Sequence, residues 1–256
     1  MSTQARKSKV SLSQRRPVLT VVIIELLLLL AVFAAGAYAT INEITSYTSP
    51  VLISFIPIAL VLIIYFTVKN KWTALGFRSL RSISAGEWKY FIPLILVLIT
   101  VSLKGFQSIS LSKVLFFIGF TLLVGFVEES IYRGLILKTL LPKGIKTAVI
   151  TSSLLFSVTH LLNAISGQNL TQTLLQLVYA LLVGGVLALL MVRNNNIIPL
   201  ILFHFIHNLI QFVGNDNTSA YLGYDIFILV ILAAQCVWLA LSLRNTATPA
   251  KLSKAS

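Results

Sequence analysis

Three short stretches of this chain carry side chains able to move protons: Glu128-Glu129-Ser130-Ile131-Tyr132-Arg133, Phe156-Ser157-Val158-Thr159-His160 and His204-Phe205-Ile206-His207-Asn208. They hold all 3 histidines of the protein. A carboxylate can take a proton from water, an imidazole can take or give one near neutral pH, and an amide can hydrogen-bond a developing charge. Two histidines and a glutamate are also ligands that suit zinc. The residue types point to general acid–base chemistry, to a metal site, or to a relay that passes protons through a membrane.

Each stretch sits in a run of apolar residues, which makes its polar groups expensive. An ionised side chain near the middle of a bilayer costs on the order of 3 kcal/mol on insertion scales, so two adjacent glutamates need a protein or water environment to receive them. The plain alternative for Glu128, Glu129 and Arg133 is a buried ion-pair network that fixes helix packing; for His160 it is a hydrogen bond between helices.

Helical spacing divides the labour. Glu129 and Arg133 are four apart and pair along one face. Glu128 points about 100° away, free to face a cavity, and as a desolvated carboxylate suits a general base. His204 and Asn208 are also four apart and share a face, which His207 flanks in a supporting place. Tyr132 and Asn163 are expected to be polar ties between helices. Glu25 stands alone in the first apolar run, about 10 Å from its basic end. It is expected to snorkel or to pair with a neighbouring helix, with no part in chemistry.

The elements that must position these groups are membrane helices. The chain has 256 residues, is 57% hydrophobic and 11% charged, and has a mean hydropathy of +0.93, which excludes a soluble domain. Its apolar runs at 18–40, 50–68, 90–103, 114–137, 147–163, 172–192, 197–213 and 222–243 are read as crossings, against roughly 20 residues each. The expected fold is all-α: a polytopic membrane bundle of about eight transmembrane helices, forming one domain over 18–243 between a basic tail at 1–17 and a second tail at 244–256. Neighbouring small residues (Gly184-Gly185) are expected to allow close helix contact, and Asn194-Asn195-Asn196 to form a tight turn.

Charge orients the bundle. With the amino terminus inside, the cytoplasmic segments hold Arg6, Lys7, Lys9, Arg15 and Arg16, then Lys69, Lys71, Arg78, Arg81 and Lys89, then Lys138, Lys143, Lys146, Arg193, Arg244, Lys251 and Lys254, against Lys104 and Lys113 outside. That asymmetry places both termini in the cytoplasm and accounts for the net charge of +13 without a nucleic-acid partner. The plasma membrane is the expected location. A basic start and small residues at Ala35-Gly36-Ala37 also fit a cleavable leader, although the apolar run is long for one. The segment Lys69–Lys89, with Trp72, Phe77 and Trp88, is read as interfacial rather than as a docking site. The single cysteine, Cys236, excludes an internal disulfide.

Depth brings the polar groups together. Glu128 lies roughly 15 Å from the cytoplasmic end of its span, His160 roughly 20 Å and His204 roughly 11 Å, all in one slab displaced towards the cytoplasmic half.

The three motifs, in this order and on separate spans, resemble those of the CAAX-protease and bacteriocin-processing family of intramembrane peptidases, also called the Abi family. The first is two glutamates, three residues and an arginine (Glu128, Glu129, Arg133). The second is a phenylalanine and a histidine with three residues between them (Phe156, His160). The third is a histidine and an asparagine at the same separation (His204, Asn208). The likeness covers roughly 110–215. It implies an endopeptidase in which Glu128, helped by His160, activates water, while His204 and Asn208 polarise the scissile carbonyl and stabilise the oxyanion. Glu129, Arg133 and His207 would support them.

That family has been described both as metallopeptidases and as metal-free, glutamate-dependent enzymes. A metal here would be zinc on Glu128, His160 and His204. No two of these share a span and no H-E-x-x-H pair is present, so no cofactor is expected. The expected partners are a peptide or membrane-protein substrate and the lipid bilayer, with the oligomeric state open. Two other functions fit the composition: a bacteriocin immunity protein that binds without cleaving, and an ion-coupled transporter using a Glu/His relay, although the paired repeats and broken helices frequent in transporters are not evident.

Overall fold

The computed structural model describes residues 11–165, 169–215 and 222–252. Of the described residues 83% are helical and none lies in a strand. Only an isolated bridge, Phe106 to Gly214, links two loops in β fashion. Of the basic residues used to orient the chain, Arg6, Lys7, Lys9 and Lys254 fall outside the described residues.

The principal helices are α1 (Pro17–Ile41), α2 (Ser49–Val68), α3 (Ile92–Ser102), α4 (Leu111–Glu129), α5 (Ile145–Thr159), α6 (Leu170–Asn194), α7 (Ile198–Val213) and α8 (Leu222–Leu252). Among the described residues seven spans are long and apolar enough to cross a membrane, and α7 is a shorter apolar helix. The chain is a multi-pass membrane protein. Helix starts follow local chemistry: proline lies in the first turn of α1, α2, α3 and α7, where its missing N–H has no intrahelical acceptor anyway. Asn169 caps α6 by accepting from the Thr171 amide at 2.8 Å. The turn expected at Asn194-Asn195-Asn196 is present, with Asn195 left-handed (φ 47°, ψ 39°) after α6.

Three boundaries differ from the hydropathy reading. The third span gains a 3-10 stretch, Ala85–Phe91, ahead of α3, giving 18 residues rather than a truncated crossing. The last helix runs on to Leu252, so the expected tail from 244 is helical for most of its length. The fifth span breaks at His160, where α5 stops and a short helix, Leu161–Ile165, begins. Irregular backbone at such depth is tolerated where protein or water covers it, and hydropathy averages over it.

A fourth departure matters most for the site. Directly after Glu129 the helix widens into a π segment, Ser130–Leu137. Such segments are rare and concentrate at functional sites. Ser152 Oγ donates to the Tyr132 carbonyl at 2.9 Å and ties α5 to it.

Helix α5 packs on α6, α4 on α7, and α8 on α6; α1 and α2 lie together, with α1 also reaching the π segment. Two glycines permit the closest approaches. A Cβ at Gly184 would meet Phe156 Cδ1 at 3.2 Å and Ser153 Cα at 3.3 Å, as expected from the sequence. A Cβ at Gly125 would meet the Ile201 carbonyl at 3.2 Å and the Phe205 amide at 3.3 Å, so its absence lets α4 and α7 touch one turn from the glutamates.

The Lys69–Lys89 segment is held against the bundle. Asn196 Nδ2 donates to Ser79 O at 2.9 Å and Ser82 Oγ at 3.0 Å. Lys138 donates to Ala74 O at 2.8 Å and also bonds Asn195. Arg193 pairs with Glu87 and stacks 3.9 Å over Tyr90. Trp72 and Phe77 pack edge-on at 4.8 Å, and Phe77 reaches Phe126 on α4.

Candidate functional site

Glu128 and Glu129 end α4, just before the backbone widens, and α7 faces them with His204. Nδ1 of His204 is 2.9 Å from Glu129 Oε1, and its Nε2 is 3.3 Å from Glu128 Oε2. Glu129 Oε1 also lies 3.1 Å from Arg133 Nη1, and both side chains of that ion pair are fully buried. A carboxylate held by arginine can only accept, so His204 donates to it from Nδ1. Nε2 and Glu128 stand close enough to share a proton carried by either one.

Glu129 therefore does two jobs, one of which sequence spacing indicated. Its pairing with Arg133 was legible at i, i+4. Its grip on His204 joins two spans and had no local signal. Arg133 also reaches the Gly184 carbonyl at 3.4 Å and lies 4.4 Å over the Phe156 ring. A buried cation beside an aromatic face recovers part of its lost solvation.

Phe156 is the hub of the second motif. Its ring meets His160 at 5.1 Å, His204 at 5.9 Å and Tyr132 at 5.1 Å between centroids, each edge to face. Its carbonyl accepts from His160 Nδ1 at 2.9 Å, which leaves Nε2 as the reactive nitrogen of that ring. Phe156 thus stands between the two histidines and contacts both.

The third motif divides. His204 joins the glutamates, while His207 is stacked on Tyr179, whose hydroxyl donates to Nε2 at 2.7 Å. His207 Nδ1 in turn faces Asn208 Oδ1 at 3.4 Å. His207 is thus a bridge from α6 to the Asn208 amide. Tyr179 had no motif to mark it. Asn163, expected to tie helices, bonds Gln176 on α6 at 2.9 Å.

Glu25 does not snorkel. It is buried and accepts from Thr159 Oγ1 at 3.0 Å, the second of the two expected behaviours, with its partner on α5. Two open cavities, of about 350 and 320 Å³, are lined by Tyr47, Gln107, Lys113 and Phe117 and by Thr100, Tyr224 and Phe227 respectively. Neither touches the Glu–His cluster. The cluster itself is closed: His204 is buried, and the Glu128 side chain is 14% exposed.

The donor set fits zinc only in part. Glu128 and His204 supply two donors at a separation two ligands could share, but among the described residues no three His, Cys, Asp or Glu side chains are grouped as a metal's ligands. His160 does not complete a set with them among the described residues.

Fold and site define a polytopic helical membrane protein with a buried carboxylate–imidazole centre. Residues 110–210 match the family model described as Type II CAAX prenyl endopeptidase Rce1-like, which bears out the resemblance read from the three motifs. The matched stretch runs from the cap of α4 into α7 and contains Glu128, Glu129, Arg133, His160, His204 and Asn208. No curated protein and no solved structure gives a significant match.

Proposed function

We propose that this protein is an intramembrane endopeptidase that hydrolyses a peptide bond of a membrane-associated peptide or protein. The observation that carries the reading is the Glu128–His204–Glu129 bridge, in which one imidazole buried among membrane helices faces two carboxylates, at 3.3 and 2.9 Å. The match to a peptidase family over the same residues supports it.

In this reading Glu128, freed of the shared proton, takes a proton from a water molecule, and the resulting hydroxide attacks the scissile carbonyl carbon. His160 Nε2 helps to hold that water. His204, carrying the shared proton on Nε2 and fixed from behind by Glu129, donates to the carbonyl oxygen as it becomes negative. Asn208, whose Oδ1 faces His207, offers its Nδ2 hydrogens to the same oxygen. Fixed donors in a dry site make this stabilisation among the largest contributions to rate. Glu128 then passes its proton to the leaving amine as the C–N bond breaks. The reading needs no metal. Both termini lie in the cytoplasm, the site lies in the cytoplasmic half of the plasma membrane, and the substrate approaches through the bilayer. A bacteriocin precursor is one substrate of the right kind.

The test is purified protein in liposomes, incubated with a farnesylated peptide ending in a CAAX sequence and with a membrane peptide pool, with products identified by mass spectrometry. New termini that appear with wild type and vanish with Glu128→Ala support the proposal. Cleavage that survives Glu128→Ala overturns the assignment of the base. Solute flux with no peptide product would favour a transporter, and bacteriocin protection that survives Glu128→Ala a binding-only immunity protein.

A further inference from the structure

Glu25 belongs to none of the three motifs and lies outside the matched stretch, yet it is wired to two of the motifs. Its carboxylate on α1 is buried, 6% exposed. Oε1 accepts from Thr159 Oγ1 at 3.0 Å and lies 3.5 Å from the Tyr132 hydroxyl. The Tyr132 and Thr159 hydroxyls are 2.5 Å apart. Thr159 immediately precedes His160 at the point where α5 stops, and Tyr132 immediately precedes Arg133 in the π segment. One acidic side chain on the first span therefore meets the neighbours of a site histidine and of the site arginine.

Counting hydrogens gives the network a direction. Tyr132 and Thr159 have one hydroxyl hydrogen each. With Glu25 as acceptor, the two hydrogens run either from Tyr132 to Thr159 to Glu25 or from Thr159 to Tyr132 to Glu25, and both orders end on the Glu25 carboxylate. Thr159 Oγ1 also lies 2.9 Å from the Leu155 carbonyl on its own helix. Without an acceptor at position 25 its hydrogen returns to that carbonyl, and the tie between α1 and the end of α5 is gone. The second carboxylate oxygen, Oε2, is buried without a hydrogen-bond partner among the described residues. A carboxylate retained under these conditions in an apolar helix carries a burden that leucine would not.

We propose that Glu25 is a positioning residue: through Thr159 and Tyr132 it sets the helix break that orients His160 on the Phe156 ring, which also meets His204, and so makes the first span part of the site. The inference rests on the reading of His160 given under the proposed function. It also means that removing α1 as a leader would dismantle the site.

The protein has only 3 histidines, all in this region, so ring signals of isotopically labelled histidine in detergent micelles report on it directly. Glu25→Leu is expected to shift the His160 signals while leaving His204 and His207 in place. Glu25→Gln keeps an oxygen that accepts the Thr159 hydrogen, and is expected to return His160 to its wild-type position. Thr159→Val should reproduce the leucine effect if Glu25→Leu proves too unstable to purify. In the liposome assay Glu25→Leu should lower kcat about 10²-fold with KM little changed, as for a displaced reacting group, and Glu25→Gln should recover it. An unmoved His160 signal in both Glu25→Leu and Thr159→Val overturns the proposal, as does a Glu25→Gln variant no better than leucine. If wild type cleaves nothing while the His160 shifts follow this pattern, the positioning role stands and the peptidase reading falls.

Discussion

Glu129 Oε1 and His204 Nδ1 lie 2.9 Å apart although 75 residues separate them in the chain. The contact joins α4 to α7 and fixes which imidazole nitrogen faces Glu128. It turns two glutamates that look alike in sequence into different groups: one locked between arginine and histidine, the other 3.3 Å from that histidine's second nitrogen and free of arginine.

The two glutamates should therefore fail differently. Glu128→Gln is expected to keep wild-type abundance while lowering the hydrolysis rate by about 10²–10⁴-fold, the range for loss of a general base. Glu129→Gln should lower both abundance and rate, since it weakens the hold on Arg133 and on His204 together. Quantitative immunoblots beside rates per molecule separate the two. Equal abundance with equal rate loss in both variants would show that the roles are not divided.

Arg133 tests whether the buried pair is structure or chemistry. Arg133→Leu leaves Glu129 uncompensated and is expected to destabilise the protein by about 3–5 kcal/mol, read as lost thermal stability in detergent. The double variant Glu129→Leu/Arg133→Leu should regain much of that stability, because an apolar pair of similar volume replaces the buried charges. Activity should not return with it, since His204 has lost its anchor.

Gly125 sets the distance between the glutamates and His204. Gly125→Ala places a methyl 3.2 Å from the Ile201 carbonyl and 3.3 Å from the Phe205 amide, backbone atoms that cannot rotate away. The expected result is a loss of about 1–3 kcal/mol and a fall in kcat larger than the loss of folded protein explains. Gly36→Ala, where a Cβ meets nothing within 4 Å, should change neither.

The proposed hydrolysis without a metal makes a direct prediction. Prolonged treatment with 1,10-phenanthroline or EDTA should leave the hydrolysis rate unchanged. Loss of activity that zinc restores would place a metal on Glu128, His160 and His204 after all.

Tyr179 is expected to act on Asn208 through His207. Tyr179→Phe removes the 2.7 Å hydrogen bond to His207 Nε2 and leaves a buried nitrogen unsatisfied, at about 1–3 kcal/mol. The rate should fall in kcat, with KM nearly constant. A Tyr179→Phe protein with full kcat would remove His207 and Tyr179 from the site.

The sequence alone determined the elements and the order of the groups. Long apolar runs can satisfy their backbone in a bilayer only as helices, so the spans were legible to within a few residues, Pro17–Ile41 against 18–40 being typical. The i, i+4 rule is also local, and it delivered the Glu129–Arg133 pair. What tertiary structure decided is everything that depends on which helix lies beside which. Hydropathy carries no phase between helices, so it was silent on the turn of His204 towards both glutamates, the turn of His207 towards Tyr179, and the union of Glu25 with Thr159. The π segment after Glu129 and the break at His160 were hidden for a related reason. Both are departures from regular helix beside which a neighbouring span makes a hydrogen bond, from Ser152 at one and to Glu25 at the other, and such contacts between helices leave no local signal.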